Sequence, residues 1–579
     1  MKGRFPSEPI SRAFVPDKQG ARRHYGSHPY FTKRAWNVVQ RYIEHFSPPG
    51  ALVLDPFGGS GITAVESLVL RRRAAYVDIN EWACFLARQA AIAPVNLGRL
   101  SEAYLRLESR YRKAITDLWE MSDLSLSRRP VAHWYPKGVP LPDNSDVHLV
   151  EELFTPRMLH GLAMLRHGIM ETEDDQVRDL LLLAFSSTLV RINRTFLSAG
   201  NRSETRGGSA VFSLYRYKVA KNPVELPLWE QFTQRFEKLL QAKRETNLLI
   251  GDFYQEGVTA DFRHGSATHL SEFIPPESVD YIYTDPPYGA HIPYLDLSVM
   301  WMAWLGMGIS QGDREEEVIE GGQLRKTSED YRSLLSQSLK EMSKVLKTGA
   351  WLSLVYAHRD TSYWESIVQA SRDAGLEYVN TVVQPVGVVW SMHKKKNPLR
   401  VLSGELVLNF RKGVKAPRRA KRSVPRDCES VALEVCAKEI LSRDGATTEE
   451  VHHAIIPVLL ENGLLGDFSR RHGDMTPLLE DRLDFDSESG RWHLREDPEW
   501  AQYAERRRLA RYFLGRMWES SQRSAQGLSS HDACARLANL GLPDALAGEE
   551  VEEFLRQLAL RETGDTRSRS SECSPSLFP

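Results

Sequence analysis

The stretch from Leu52 to Leu70 constrains the fold more than any other part of the chain. Leu52-Val53-Leu54 reads as a short buried strand and Asp55-Pro56-Phe57-Gly58-Gly59-Ser60-Gly61 as a tight turn. Ile62, Ala64, Val65, Leu68 and Leu70 then form a helical stripe. Strand, glycine turn and helix, in that order, build a nucleotide-type binding loop at the carboxyl edge of a parallel sheet. The glycines let the backbone pass close to a ligand, and the helix N-terminus offers free N–H groups to an anion. The next strand, Ala74 to Val77, ends at Asp78, an acid placed to accept from both hydroxyls of a ribose. The glycine spacing does not fit the dinucleotide fingerprint, and the Lys-Ser/Thr pair of a phosphate loop is missing. A ligand with a ribose and a carboxylate but no phosphate fits this set, and S-adenosylmethionine is such a ligand.

A second motif lies far downstream. The apolar run Val279 to Tyr283 predicts a strand, and Asp285-Pro286-Pro287-Tyr288 follows its end. Asp285 can accept one hydrogen of an exocyclic NH₂ on a flat base, and the Pro286 carbonyl can accept the other. Tyr288 can stack on the ring face, a contact worth roughly 1–3 kcal/mol per base. Proline locks φ and removes a donor, so the loop is stiff and its carbonyls are left for a ligand. Asp and Pro are also ordinary turn residues, so the tetrad alone reads as a strand-ending turn too.

Taken together, the two motifs resemble the signature pair of the DNA amino-methyltransferases, which methylate adenine N6 or cytosine N4. Further segments match that family in order. His28-Pro29-Tyr30-Phe31-Thr32-Lys33, the amphipathic run Val38 to Phe46 and Ser47-Pro48-Pro49-Gly50 resemble the segment that closes over the methionine end. Leu153-Phe154-Thr155-Pro156-Arg157, Ile292-Pro293-Tyr294-Leu295-Asp296-Leu297-Ser298 and Trp301-Met302-Ala303-Trp304 resemble a site-specific branch with a long central insertion. Val345 to Tyr356 has the look of a helix end, turn and strand, and Gly404 to Phe410 that of the last strand. The likeness covers about residues 24–412.

This resemblance implies an α/β fold, a doubly wound, Rossmann-like sheet, with S-adenosylmethionine as cofactor and DNA as substrate. Carried over residue by residue, it makes Asp285, Pro286, Pro287 and Tyr288 catalytic. Phe31, Thr32, Asp55, Phe57, Gly58, Gly59, Gly61, Asp78 and Ser266 become cofactor-binding, and no metal is implied. Ser266 is a departure: in His264-Gly265-Ser266-Ala267 it stands where the family usually has an acid near the cofactor adenine. A hydroxyl can still meet a base edge, without the charge-assisted bond. Asp252 is another acid in the region, and it reads as a surface turn residue. Adenine N6 is favoured over cytosine N4, because cytosine enzymes more often have Ser where this chain has Asp285. An amine buried in a duplex has to be reached by flipping the base out. RNA amines and a non-catalytic DNA-binding role are the other readings, and a restriction-modification or phage-defence setting with a separate restriction subunit is expected.

Composition narrows the alternatives. Lys+Arg is 75 against Asp+Glu 76, so no global positive field marks nucleic acid, and DNA contact has to come from local patches. Arg71-Arg72-Arg73, His393 to Lys396, and Arg411 to Arg422 with its seven Lys/Arg are candidates, each readable also as a solvated face. Methylation at cytosine C5 needs a thiolate nucleophile. That family's thiol follows a proline, whereas Cys84, Cys428, Cys436, Cys534 and Cys573 all follow other residues. Scattered cysteines without metal spacing, and no long apolar run, point to a cytoplasmic enzyme.

At 579 residues the chain is expected to hold two to four domains. Residues 1–23 read as a flexible arm, 24–120 as the cofactor half of the sheet, and 121–248 as a helical insertion for target recognition. Amphipathic runs at Leu159 to Ile169 and Val177 to Leu189 support the insertion, and Arg191 to Arg194 with Asn201 to Gly208 form its basic, polar patch. Residues 249–412 read as the catalytic half, with Trp390 and His393 to Lys396 before the last strand. A basic linker at 413–426 leads to a mainly helical C-terminal domain at 427–562, and 563–579 reads as a disordered tail. In that domain, helices at Val431 to Leu441 and Thr447 to Asn462 and a hairpin at Leu483 to Leu494 are compatible with a winged helix. Two further helices are expected at 498–520 and 530–562.

Overall fold

The computed structural model describes residues 5–17, 22–198, 207–221, 223–255, 260–289, 292–385, 404–413, 427–443, 445–495, 498–523, 528–540, 542, 546 and 548–562. The chain divides into two compact units, Met1–Ala432 with Thr448–Met475, and Leu433–Thr447 with Thr476–Pro579. The first holds a seven-stranded sheet made of β1 (Leu52–Asp55), β2 (Arg73–Asp78), β3 (Ala260–His264), β4 (Val279–Thr284), β5 (Leu346–Tyr356), β6 (Leu376–Gln384) and β7 (Glu405–Lys412). Their spatial order is β3-β2-β1-β4-β5-β7-β6. Pairings from β3 through β5 are parallel, and β7 runs antiparallel to both β5 and β6. This is the doubly wound sheet expected from the motifs. The chain builds outward from β1 to β3, then restarts on the other side of β1 with β4. In such sheets ligands bind outside the carboxyl ends at that reversal, here between β1 and β4.

Local sequence explains these elements. All six residues of β4 are buried, as a strand covered on both faces requires. Its one charge, Asp280, accepts from Lys347 Nζ at 2.6 Å and from the Leu52 N–H at 2.9 Å, so no unpaired charge is left inside. Helix α1 (Trp36–Phe46) buries Val38, Val39, Tyr42, Ile43 and Phe46, with Phe46 against Tyr281 and Trp351 of the sheet. Helix α2 (Ile62–Val69) follows the glycine turn, and α3 (Glu81–Ala91) starts where Asn80 accepts from the Trp82 N–H. Residues 5–17, expected as part of a loose arm, instead run along the sheet. The carbonyls of Pro6, Ile10 and Phe14 accept from Trp351, Asn380 and Gln384, and Ile10 is buried.

Ahead of the insertion stands α4 (Leu97–Glu120), and the insertion itself is helical, as its periodicity predicts, with α5 (Pro156–Met170), α6 (Asp175–Leu189) and α7 (Leu228–Gln255). Helices α5 and α6 begin two to three residues before their apolar runs, because Thr155 and Asp174 cap them by accepting from Met158 N and Val177 N. They share one core with Trp301 and Trp304 of α8 (Tyr294–Leu305), so the insertion is fused to the helix that follows the tetrad. Helices α9 (Ser328–Val345) and α10 (Thr361–Asp373) flank the far half of the sheet.

The second unit has its own three-stranded antiparallel sheet, in which Arg491–Leu494 pairs with both Ala446–Thr447 and Leu483–Asp486. The expected hairpin is therefore present. The segment 530–562 forms two helices rather than one, Ser530–Asn539 and Gly548–Glu562, with helix-stopping Gly541 and Pro543 in the sequence between them. Helix Pro498–Arg523 completes a small core of Ala510, Leu514, Ala533, Leu537, Val551 and Leu555. No helix among the described residues is long and apolar enough to cross a membrane. Trp390, His393 to Lys396, Asn201 to Arg206, the stretch 414–426 and the tail 563–579 lie outside the described residues.

Candidate active site

Steric fit shapes the glycine loop between β1 and α2. A Cβ on Gly58 would lie 2.1 Å from the Tyr76 ring. Gly61 has φ +80° and stands so close to α3 that its Cβ would meet that of Ala87 at 2.6 Å. Asp78, ending β2, ties this loop down: Oδ2 accepts from the Gly59 N–H at 2.7 Å and Oδ1 from the Asn80 N–H at 2.8 Å. Burial pushes its carboxyl up to about 6, against the pull of those two N–H groups. Asp55, ending β1, accepts from the Phe57 N–H, from Thr63 Oγ1 at 2.7 Å and from Thr284 Oγ1 at 2.8 Å. It thereby clamps together the carboxyl ends of β1 and β4. Burial raises it to about 7, and nearby Asp285 adds to the shift.

The tetrad leaves the end of β4 at this same edge. Asp285 Oδ1 accepts from the Tyr288 hydroxyl at 2.6 Å. Its Oδ2 accepts from Arg34, through Nε at 2.6 Å and Nη2 at 2.5 Å. Arg34 also reaches the Tyr288 hydroxyl and pairs through Nη1 with Glu405, at the head of β7. Burial works against its charge, yet Asp285 and Tyr288 outweigh burial and hold its pKa above the ordinary value. Tyr331 donates to the Pro287 carbonyl at 2.6 Å and lies 3.0 Å from the Tyr356 hydroxyl, which fixes the loop from α9 and β5. The Tyr288 ring meets Tyr356 edge-on at 5.1 Å. Among the described residues the Pro286 carbonyl accepts no hydrogen bond.

Both motifs open onto one cleft at the carboxyl edge of the sheet. Of the expected residues, Thr32, Asp55, Phe57, Gly58, Gly59, Asp78, Ser266, Asp285 and Pro287 line it. Phe31 turns into the aromatic core beside Phe212 and Trp82, and its neighbour Tyr30 lines the cleft in its place. Gly61 acts through the turn and its packing on α3. Asp252 is exposed on α7 and is not part of the cleft wall.

Several wall residues were not foreseen. Glu316 and Glu317 arrive from a segment without a motif, and Arg34 directly follows the His28–Lys33 segment. Ser266 caps the 3₁₀ turn Ala267–Glu272 by accepting from the Thr268 N–H, and its hydroxyl lies 2.6 Å from that of Thr268. Thr268 Oγ1 in turn donates to Glu316 at 3.5 Å. A carboxylate therefore stands near the position where the family's acid is missing. Buried Glu317 accepts from the Leu295 N–H, and burial raises it to about 7.

Two of the basic candidates have internal jobs. Arg72 is buried and donates to the carbonyls of Ser47 and Leu70, while Arg411 and Lys412 donate to Gly349 and Leu346. Side chains that brace the backbone in this way are not available to phosphates.

Residues 7–89 match a family model described as DNA methylase. The Type II methyltransferase M.MvaI of Kocuria varians is 24% identical over 286 residues, covering 47% of this chain and 55% of that protein. The Type II methyltransferase M.MjaII of Methanocaldococcus jannaschii is 19% identical over 429 residues, covering 64% of this chain and 78% of its own length. The chain thus spans about half the length of the first relative. Among solved structures, TrmN from Thermus thermophilus aligns over 65% of this chain and 48% of its own, at 12% identity and a TM-score of 0.24. At that score the likeness adds nothing to the fold, which stands on the strand order.

Proposed function

We propose that the chain is an enzyme of the DNA amino-methyltransferase family and that it methylates an exocyclic amine in DNA, adenine N6 ahead of cytosine N4. One observation carries this reading. The sheet reversal brings the glycine loop with Asp78, and Asp285 with Pro287, to one cleft.

The charges of that cleft favour S-adenosylmethionine over a phosphorylated ligand. Among the described residues, five acidic side chains, those of Asp55, Asp78, Asp285, Glu316 and Glu317, line it against one cation, Arg34. Although burial raises Asp55 and Glu317 to about 7 and Asp78 to about 6, the wall is net acidic at neutral pH and above. Such a wall repels phosphate and attracts a sulfonium and an ammonium group. Asp78 would take the ribose hydroxyls, Glu316 beside Ser266 and Thr268 the adenine edge, and Gly58, Gly59 and Thr32 the remaining length. Held there, S-adenosylmethionine would supply an electrophilic methyl group, with its sulfur leaving as a neutral thioether that keeps the S–C electron pair.

The chain's own part is to prepare the amine. Asp285 and the Pro286 carbonyl accept its two hydrogens, which draws the nitrogen lone pair out of the ring and toward the methyl group. A positive charge then develops on nitrogen, the Asp285 carboxylate is aimed at it, and the surplus proton passes through Asp285 to solvent to leave the neutral methylated amine. Tyr288, braced by Tyr356, holds the ring plane. Positioning supplies most of the acceleration.

Along the insertion, Arg191 donates to Gln231 at 3.2 Å, on the face of α7 that carries Arg235 and Lys238 one and two turns on. Among the described residues no carboxylate pairs with any of these three cations. Burial and then the neighbouring Arg191 lower Arg235 to about 10. Unpaired, mutually repelling cations suit a DNA backbone. Removing Arg235 is expected to weaken binding alike on all sequences and to reduce the salt slope by about 1. A restriction-modification setting is consistent with the Type II names of the relatives.

Methyl transfer to unmethylated genomic DNA, followed by nucleoside mass spectrometry, tests the reading. N6-methyladenine is the expected product. N4-methylcytosine would keep the chemistry and overturn the base, and label found only on RNA would overturn DNA as substrate.

A further inference from the structure

We propose that Arg34 is a placeholder for the target amine, holding Asp285 between turnovers and withdrawing onto Glu405 when a base enters. The inference rests on the amine-methylation reading of the cleft. Both oxygens of Asp285 are already engaged by the chain, Oδ1 by the Tyr288 hydroxyl and Oδ2 by Nε and Nη2 of Arg34. A guanidinium offers what an exocyclic amine offers: planar nitrogen donors and no acceptor. It therefore satisfies the hydrogen-bonding needs of Asp285 in the amine's absence.

Charge argues that this arrangement is not the reacting one. The amine becomes cationic as it takes the methyl group, and the stabilising partner is the Asp285 carboxylate. A guanidinium on the same oxygen cancels that stabilisation and adds like-charge repulsion, which a low-dielectric cleft strengthens. Arg34 must leave Asp285 before transfer. Glu405 makes the departure inexpensive. The antiparallel β7 begins where the parallel strands end, with Leu406 opposite Tyr356, so Glu405 stands at the carboxyl edge already paired with Arg34. On leaving Asp285 the guanidinium keeps one carboxylate, and no unpaired charge is stranded. A base lacking an exocyclic amine cannot replace the hydrogen bonds that Asp285 gives up, so the exchange also selects the substrate.

The test is steady-state methylation of unmethylated genomic DNA by wild type, R34A, E405Q and the double variant, at saturating S-adenosylmethionine. Calorimetric titration of the same cofactor checks that each variant is folded. R34A is expected to raise kcat/KM for DNA about tenfold, with the whole gain in KM, if the placeholder is bound about nine-tenths of the time. E405Q should raise KM in the wild-type background and change nothing further once Arg34 is gone. Loss of kcat in R34A with KM unchanged would overturn the proposal, as would an E405Q effect that is equal in both backgrounds. Should R34A fail to bind cofactor, E405Q alone decides, since an unchanged KM there contradicts the exchange. A wild type that labels no DNA at all would fail the underlying reading before any variant is compared.

Discussion

The two ends of the cleft are built in different ways. At the glycine loop, contacts are made by backbone: Gly59 N–H to Asp78, Tyr76 to the Gly59 carbonyl, and glycines wedged against Tyr76 and Ala87. At the tetrad, side chains from residues 34, 285 and 405 meet in one ion-paired cluster. Backbone contacts reinforced by close packing cannot rearrange without unfolding a turn. Side-chain ion pairs can exchange partners. The first construction suits a ligand of fixed shape that returns every cycle, and the second a base that must enter and leave.

The strongest way to break the contrast is at Asp285. Asp285→Ala should cost methyl transfer about 10²–10³-fold, since the group facing the developing charge is lost, with cofactor affinity retained. Initial rates with labelled cofactor measure the first, and calorimetry the second.

Gly61→Ala attacks the opposite end. A left-handed φ and a Cβ contact at 2.6 Å should together cost about 2–5 kcal/mol of stability, read from urea unfolding. Unchanged stability would show that the loop is softer than its packing implies.

Asp78 gives a pH signature. Its carboxyl is raised to about 6, so the ionised form needed for ribose hydroxyls declines as pH falls through that value. Cofactor Kd should then rise about tenfold per pH unit below 6, and Asp78→Asn should flatten the profile. A smaller effect is expected at Tyr331. Tyr331→Phe removes the donor to the Pro287 carbonyl, worth about 1 kcal/mol or roughly fivefold in kcat/KM.

What could be read from the sequence follows the same division. The glycine loop and the end of β2 are local arrangements in which each residue's role depends on its neighbours, so Gly58, Gly59, Asp78 and the strands around them were legible. The strand ahead of the tetrad was legible for the same reason, and of the tetrad Asp285 and Pro287 line the cleft while Pro286 and Tyr288 do not. Arg34 was not legible, because its role is set by Asp285 and Glu405, and sequence periodicity is blind to partners so distant. Glu316 and Glu317 escaped notice likewise: only the tertiary fold brings their segment beside Ser266. Phe31 shows the converse error. An aromatic beside a binding segment can face either way, and the demand of the Trp82–Trp301 core decided its direction. The insertion's helices were visible from their apolar stripes, whereas their fusion with α8 depended on which stripe met which.

Equilibrium binding of S-adenosylmethionine to wild type, Asp78→Ala and Asp285→Ala tests the central claim most directly, that one cleft has a fixed cofactor end and a separable acceptor end. The account predicts tight binding by wild type, loss of binding in Asp78→Ala, and wild-type affinity in Asp285→Ala. Equal loss of binding in both variants, or full binding by Asp78→Ala, would contradict it.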